Sequence, residues 1–172
     1  IHGGGRVEVK YCVTCHNAGT VDPDSTNTVD FKVMIHKIHR GANLPSVQAG
    51  TPYVIYGRNN AVHDYSHVEF PQDIRNCTSC HDGSSTISRT TKTKDGDNWK
   101  KVPSALACGA CHDGINFVAG TGVTLRDAAK GLTQSSINGS GFAHAAGPMP
   151  DDSQCALCHK STGTFPLADI DL

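Results

Sequence analysis

Cys12-Val13-Thr14-Cys15-His16 is the first of four copies of one pattern, Cys-x-x-Cys-His, in this chain of 172 residues. The four copies contain all eight cysteines of the sequence. We call them motif one (residues 12–16), motif two (77–81), motif three (108–112) and motif four (155–159). They recur at unequal intervals, which indicates a repeated attachment unit within one fold, since a solenoid would show a fixed period.

This pattern is typical of covalent haem attachment. Both thiols form thioether bonds to one porphyrin, and the following histidine ligates the iron. The sequence therefore predicts four haem c groups, attached through Cys12, Cys15, Cys77, Cys80, Cys108, Cys111, Cys155 and Cys158, with His16, His81, His112 and His159 as proximal ligands. Zinc ribbons and thioredoxin-like redox pairs also use Cys-x-x-Cys, but neither requires the histidine. Iron–sulfur sites usually have more clustered cysteines.

Six of the ten histidines lie outside the motifs, which exceeds the four second axial ligands that four irons need. Only two methionines are present. We therefore expect bis-histidine ligation at every iron. The favoured distal ligands are His36, His39, His63 and His144, with His67 and His2 as alternatives.

The distal candidates differ in their settings. His36 and His39 lie three residues apart on a predicted helix and point in different directions, so that each could meet a different iron. His144 lies in a Gly/Ala/Pro-rich segment that lets backbone approach a porphyrin. Either His63 or His67 is expected to be the fourth ligand. His2 is a weaker candidate, because residues near a chain terminus are often poorly ordered. The sequence does not pair these residues with particular haems.

Little of the chain has the pattern of regular structure. Hydrophobic residues make up 37 % and aromatic residues 6 %, which is low for an ordinary core. We predict one tetrahaem cytochrome c domain over 1–172, mostly irregular, with a few short α-helices wrapped around four haems and little β structure. Predicted local elements are a helix from Asp30 to Arg40, a helical turn over Ser104–Cys111, an extended piece over 51–57, loops over 82–98 and 113–143, and a brief turn at Asp127–Lys130.

The formal charge of the polypeptide is −1. Each haem carries two propionates and makes the loaded protein more acidic, so the composition argues against a nucleic-acid partner. No apolar run reaches the length of a membrane-spanning helix. Because haem is attached covalently outside the cytoplasm, we expect an extracellular or outer-membrane-surface location, with the periplasm as the alternative.

Several stretches together resemble a known family. They are HGGGRVEVKYCVTCHN (2–17), DFKVMIHKIHRG (30–41), HDYSHVEFPQDIRNCTSCHD (63–82) and CGACHDGINF (108–117). These are similar to the multihaem domain of the outer-membrane decahaem cytochromes, the OmcA/MtrC family. The resemblance implies closely packed bis-histidine haems that pass electrons to extracellular acceptors such as metal oxides and flavins, or to partner cytochromes.

The chain departs from the family pattern in two respects. The family domain generally holds five haems between β-rich domains, whereas this chain has four motifs, and the one that looks missing is the first. We therefore expect one of two explanations: a fragment or reduced, single-domain relative, or a subunit of a cytochrome polymer that associates with itself. A multihaem reductase with one open iron is the enzymatic alternative; we expect an electron-transfer protein instead, because enough histidines exist to cap every iron.

Overall fold

The computed structural model describes residues 2, 5, 9–81, 96–131 and 142–159. The helices in these ranges are α1 (Val9–Cys12), α2 (Phe31–Arg40), α3 (Pro45–Gln48), α4 (Asn98–Lys101), α5 (Ala105–Cys108), α6 (Leu125–Ala129) and α7 (Cys155–Cys158). Single 3-10 turns cover Gly41–Asn43, Arg58–Asn60, Cys77–Ser79 and Asp152–Gln154. The expectation of a few short helices in a largely irregular chain is confirmed.

Helix α2 confirms the prediction for Asp30 to Arg40. The Asp30 carboxylate accepts a hydrogen bond from the Lys32 N–H at 3.1 Å and caps the first turn. Gly41 ends the helix with a φ of 45°, a conformation that glycine adopts without strain. The apolar stripe of the helix, Phe31, Met34, Ile35 and Ile38, stays half-buried, and the buried residue of α2 is Val33. The stripe therefore keeps apolar surface that the polypeptide does not cover.

A small polypeptide core lies around Leu44 and Tyr53, whose exposed fractions are 0 % and 1 %. The Tyr53 hydroxyl donates to the Thr28 carbonyl at 2.6 Å, and the Tyr53 N–H donates to Ser66 Oγ at 2.9 Å. Both polar groups of this buried residue are thus satisfied, as buried polar groups must be. No helix within the described ranges is long and apolar enough to cross a bilayer.

Asp113 joins three parts of the chain behind motif three. Its carboxylate forms an ion pair with Lys37 of α2. It also accepts hydrogen bonds from the N–H and hydroxyl of Ser46 in α3, at 3.0 and 2.5 Å. Because Asp113 directly follows His112, this junction fixes the end of motif three against the helix that carries His36 and His39.

The four strands form two separate hairpins. Strand β1 (Val54–Tyr56) pairs antiparallel with β2 (Val62–Asp64), in a register that places Ile55 opposite His63. Strand β3 (Ile115–Asn116) pairs antiparallel with β4 (Thr121–Gly122). The extended piece predicted over 51–57 corresponds to β1.

The prediction of a loop over 113–143 is wrong at 115–116, 121–122 and 125–126, where the structure has two short strands and the start of a helix. Two-residue strands are too short to show an alternating pattern, and their hairpin depends on Gly122, whose φ is 131° and whose backbone lies against Gly114. Helix α6 follows, with its N–H of Asp127 bonded to the Thr124 hydroxyl. It includes most of the turn expected at Asp127–Lys130. In the other predicted loop, Asn98 begins α4, whereas 82–95 and 132–141 lie outside the described residues.

Candidate haem-binding site

All four motifs share one backbone hydrogen bond. In each, the N–H of the histidine donates to the carbonyl of the first cysteine four residues earlier, at 2.9, 2.7, 3.0 and 2.8 Å in motifs one to four. Residues three and four apart on a helical turn lie on the same side. Each motif therefore presents two thiols and one imidazole together, the set of groups that holds one c-type haem.

The eight cysteines, all within the described ranges, form no disulfide. Burial raises the pKa of the Cys77, Cys108 and Cys155 thiols, and raises that of Cys111 to about 11. In the described part of the chain no three His, Cys, Asp or Glu side chains come together as a metal-ion site.

Three motif histidines each face a histidine from elsewhere in the chain. The ring centroids are 5.8 Å apart for His2 and His16, 5.8 Å for His36 and His81, and 6.1 Å for His144 and His159. The Nε2 atoms of His2 and His16 are 3.5 Å apart. A metal ion bound by two opposed imidazoles, at about 2 Å from each nitrogen, separates those nitrogens by about 4 Å. The spacing of the pairs is close to that arrangement.

Backbone carbonyls set the tautomer of several of these rings. The Nδ1 atoms of His16, His36 and His144 lie 2.8, 2.6 and 2.9 Å from the carbonyl oxygens of Val29, Lys32 and Gly147. A carbonyl only accepts, so Nδ1 carries the proton and Nε2 keeps its lone pair. This is the outer hydrogen bond that orients a metal-ligating histidine.

His112 of motif three lies in a different environment. Burial lowers its pKa to about 4, and the nearby positive charge of Arg40 contributes in the same direction. The ring is therefore neutral, the form that ligates iron. Among the described residues no imidazole is stacked against it, so its facing ligand is not identified by a ring pair.

The remaining candidates, His39, His63 and His67, have other contacts. The Nδ1 of His39 donates to the Ile35 carbonyl at 2.7 Å, and its ring meets Phe70 edge-on at 5.5 Å. His63, on β2, packs closely over the backbone of Gly57. The side chain of His67 is 88 % exposed and 3.7 Å from Asp64. Of the four favoured distal residues, the structure thus brings His36 and His144 to a motif histidine, and it also brings the alternative His2.

The motifs have a spatial order that the sequence does not reveal. The Cys111 and Cys77 thiols lie close enough for the ionisation of one to affect the other, and the same holds for Cys108 and Cys155. In addition, the Asp152 carboxylate beside motif four accepts a hydrogen bond from the Ala105 N–H at the start of α5, at 2.7 Å. Motif three therefore neighbours both motif two and motif four.

Apolar side chains beside the motifs are left in contact with solvent. Tyr11 and Leu157 are 67 % and 66 % exposed, and Val13 and Leu106 are also exposed. Exposed apolar surface of this kind marks a place where another apolar body binds. Because these residues lie within or next to motifs one, three and four, a porphyrin face on each motif would cover them.

Two buried donors lack an acceptor within the described residues: Nε of Arg40 and Nε1 of Trp99. Nearly all buried polar groups have a partner, so these atoms fit a cofactor that brings its own acceptors, as the propionates of haem do. Sequence reasoning missed both residues. The position of Arg40 at the end of α2, directly after His39, was the available signal.

Comparison with known proteins agrees with this chemistry. A family model described as outer membrane cytochrome MtrC/MtrF-like, domains II/IV, matches residues 1–170. The chain belongs to this family. It is 27 % identical over 166 residues to the multiheme cytochrome MtrC of Shewanella baltica (strain OS185), an alignment that covers 96 % of this chain and 16 % of that protein.

A solved relative has a similar fold. The crystal structure of the outer membrane decaheme cytochrome OmcA matches with a TM-score of 0.58 and 27 % identity, over 94 % of this chain and 19 % of that one. The chain thus spans less than a fifth of the length of either relative. The resemblance to the OmcA/MtrC family inferred from the sequence is confirmed.

Proposed function

We propose that this chain is a tetrahaem electron-transfer unit, with one haem c on each Cys-x-x-Cys-His motif and two imidazoles on each iron. The observation that carries the proposal is the set of three facing histidine pairs, each joining a motif histidine to a histidine from elsewhere in the chain. Bound haem supplies a reversible one-electron couple at its iron. The unit works outside the cytoplasm, as part of an outer membrane cytochrome, and is not an enzyme.

The polypeptide attaches, orients and insulates the haems. The cysteines of each motif would attach one porphyrin, and the motif histidine together with a second histidine would ligate its iron. An iron held by two imidazoles would have no position left for a substrate, which favours electron transfer over catalysis. Ligation without methionine favours low midpoint potentials.

We assign His2, His36 and His144 as distal ligands of the haems at motifs one, two and four. For motif three we favour His39, because it adjoins Arg40, whose charge reaches His112. His63 is the alternative. Replacing His39 by Met should convert one haem from bis-histidine to His/Met ligation, seen in the electron paramagnetic resonance spectrum, whereas His63→Met should leave all four signals unchanged. The reverse result would transfer the assignment to His63.

Motif three is the middle member of the row formed by motifs two, three and four. Electron tunnelling falls exponentially with the gap between conjugated groups, so neighbouring attachment sites define the fastest route. We infer that electrons pass along these three haems through the haem on motif three.

The primary test is the mass and spectrum of the purified protein. Four added haem masses, together with low-spin spectra in the resting state and no rapid binding of carbon monoxide on reduction, are expected. An unmodified polypeptide, or a protein whose resting haem is high-spin, would refute the proposal.

The partners proposed are other multihaem cytochromes and extracellular acceptors, namely metal oxides and flavins. Stopped-flow oxidation of the fully reduced protein by a soluble flavin and by a suspended iron oxide tests the two acceptor classes separately. Self-association is tested by the molecular mass in dilute solution with and without a chaotrope: a polymer subunit gives a large particle that the chaotrope disperses, whereas an independent unit gives the mass of one chain in both.

A further inference from the structure

Arg40, the last residue of α2, has a buried atom that needs an acceptor. Its Nε is shielded from solvent and has no hydrogen-bond partner in the part of the chain that the structure describes. Nearly all buried polar groups have a hydrogen-bond partner. A hydrogen-bond acceptor therefore belongs beside the Nε of Arg40 in the loaded protein, and the positive charge of the guanidinium favours a negatively charged one.

A pocket of about 210 Å³ adjoins Arg40 and offers room for that group. Amide side chains of Asn43 and Gln72 line it together with Arg40 and provide further donors. The one carboxylate in the lining is Asp73, and both of its oxygens are held by Arg75, at 2.7 to 3.1 Å. Asp73 is thus already neutralised and is not the counter-charge for Arg40.

Arg40 lies close to motif three. Helix α2, which ends at Arg40, packs against α5, the helix that leads into motif three. One turn earlier on α2, Lys37 is paired with Asp113, which directly follows His112. Cys111 and His112 are the groups that hold one haem to the chain. A cation at this position stabilises the reduced, more electron-rich state of that iron.

We propose that Arg40 is the haem-carboxylate-binding residue of this pocket and that it raises the midpoint potential of the haem on motif three. The inference rests on the proposed function. The ligand class is a porphyrin propionate, because a carboxylate matches the planar fork of donors that a guanidinium presents. The haem in the middle of the row is thereby easier to reduce than it would be without Arg40.

The test compares Arg40→Gln and Arg40→Lys with Arg126→Gln, a change of the same charge at an exposed residue of α6. A redox titration resolved into four components gives the potentials, and resonance Raman spectra report hydrogen bonding to the propionates. We expect Arg40→Gln to lower one potential and to shift a propionate band. Arg40→Lys should restore much of the potential but not the band, because it keeps the charge and loses the fork. Arg126→Gln should change neither.

Asp113→Asn identifies the haem concerned. The Asp113 carboxylate directly follows His112 and pairs with Lys37 of α2. Its charge is opposite to that of Arg40, so its removal should raise the same component that Arg40→Gln lowers. A different component moving, or equal shifts in the Arg40→Gln and Arg126→Gln proteins, would overturn the proposal.

The result separates this proposal from the function on which it rests. If the Arg40→Gln protein holds four low-spin haems with unchanged potentials and propionate bands, the role of Arg40 is overturned but the proposed function stands. If the chain carries no haem, the role of Arg40 and the proposed function are both overturned. If Arg40→Gln fails to retain haem, Arg40→Lys still decides, since an unchanged propionate band in that variant contradicts the proposed contact.

Discussion

Hydrogen bonds at Nδ1 determine which nitrogen each imidazole offers to a metal. In His36 the bond goes to the carbonyl of Lys32, one turn earlier on the same helix, so the ring is held by α2 itself, with its centroid 5.8 Å from that of His81. His39 makes the same bond to the Ile35 carbonyl, so α2 fixes the orientation of both of its histidines, as a metal ligand requires.

Replacing His36 by Met tests the pairing with His81. A His/Met pair has a higher midpoint potential than a bis-histidine pair, so one of the four components should rise and one bis-histidine signal should disappear from the electron paramagnetic resonance spectrum. The matched control is His67→Met, because His67 is 88 % exposed and lies beside Asp64. Loss of a signal in the control, with none lost in His36→Met, would contradict the assignment.

Sequence reasoning assigns the attachment residues from their pattern, whereas its order of preference among the distal histidines differs from the proximities seen in the structure. The motif residues are readable because covalent chemistry fixes their spacing. Distal ligands come from any part of the chain, so their rank depends on tertiary contacts. His2 was placed last because terminal residues are usually poorly held, yet the structure brings it to 3.5 Å from His16. His63, ranked above it, packs on Gly57 instead.

At the scale of elements, α2 carries the candidate distal ligands His36 and His39, and the helix ends at Gly41. An added Cβ at Gly41 would lie 2.2 Å from the Val68 carbonyl oxygen, and the φ of 45° is itself unfavourable for other residues. Gly41→Ala should therefore destabilise the fold by at least the cost of a strained backbone residue, about 1–3 kcal/mol. Thermal or chaotrope unfolding measures this loss.

The control for Gly41 is Gly50→Ala. Gly50 also has a positive φ, of 91°, but a Cβ there would meet nothing within 4 Å. Gly50→Ala therefore measures the free-energy cost of the strained backbone conformation without a steric clash. Equal destabilisation by the two substitutions would show that the contact with Val68 is unimportant.

The loop between motif one and α2 depends on Asp22. This buried carboxylate accepts hydrogen bonds from the Ser25 hydroxyl and N–H and from the N–H of Tyr56 in β1. The Ser25 hydroxyl, and next the Tyr56 N–H, hold the pKa of Asp22 below its usual value. Its contribution to stability is therefore complete above the pKa of the unfolded chain and is lost as the pH falls through the lower folded value.

Asp22→Asn should remove this part of the acid sensitivity. In the variant, the unfolding midpoint should be lower than in the parent protein at neutral pH, and the difference should shrink at acidic pH below the usual aspartate range. Asp24→Asn, an exposed neighbour in the same loop, is the control and should follow the parent curve. A constant difference between Asp22→Asn and the parent at all pH values would contradict the titration.

The elements that could be predicted are those with local signals. Asp30 and Gly41 delimit α2 in the sequence as in the structure, because capping and termination are short-range effects. The β3–β4 hairpin could not be predicted: its strands are two residues long, and its pairing relies on the close approach of Gly122 to Gly114. Such a contact produces no alternation of apolar and polar residues in the sequence, which is the signal that predicts a strand.

At the scale of the whole molecule, the polypeptide has a small core of its own and exposes apolar side chains next to the motifs. Bound haem groups would cover these side chains and enlarge the core. The composition alone predicted this, since the apolar fraction of 37 % is low for the length. The order of the motifs in space could not be predicted, because unequal intervals along the chain carry no information on which motifs meet.

The proximity of motif three to motifs two and four predicts electrostatic coupling between the haems that they carry. Each haem adds negative charge on reduction, so neighbours lower one another's potential, and two unit charges about 10 Å apart interact by roughly 1–2 kcal/mol at an effective dielectric constant of about 20. Removing the haem of motif four, by Cys155→Ala with Cys158→Ala, should therefore raise the potential of the haem on motif three. Removing the haem of motif one, by Cys12→Ala with Cys15→Ala, should leave that potential nearly unchanged, because the contacts found for motif three among the described residues are with motifs two and four. Redox titrations of the two trihaem proteins measure both effects, and a larger rise on removal of the first haem would place motif one, not motif four, beside the centre of the row.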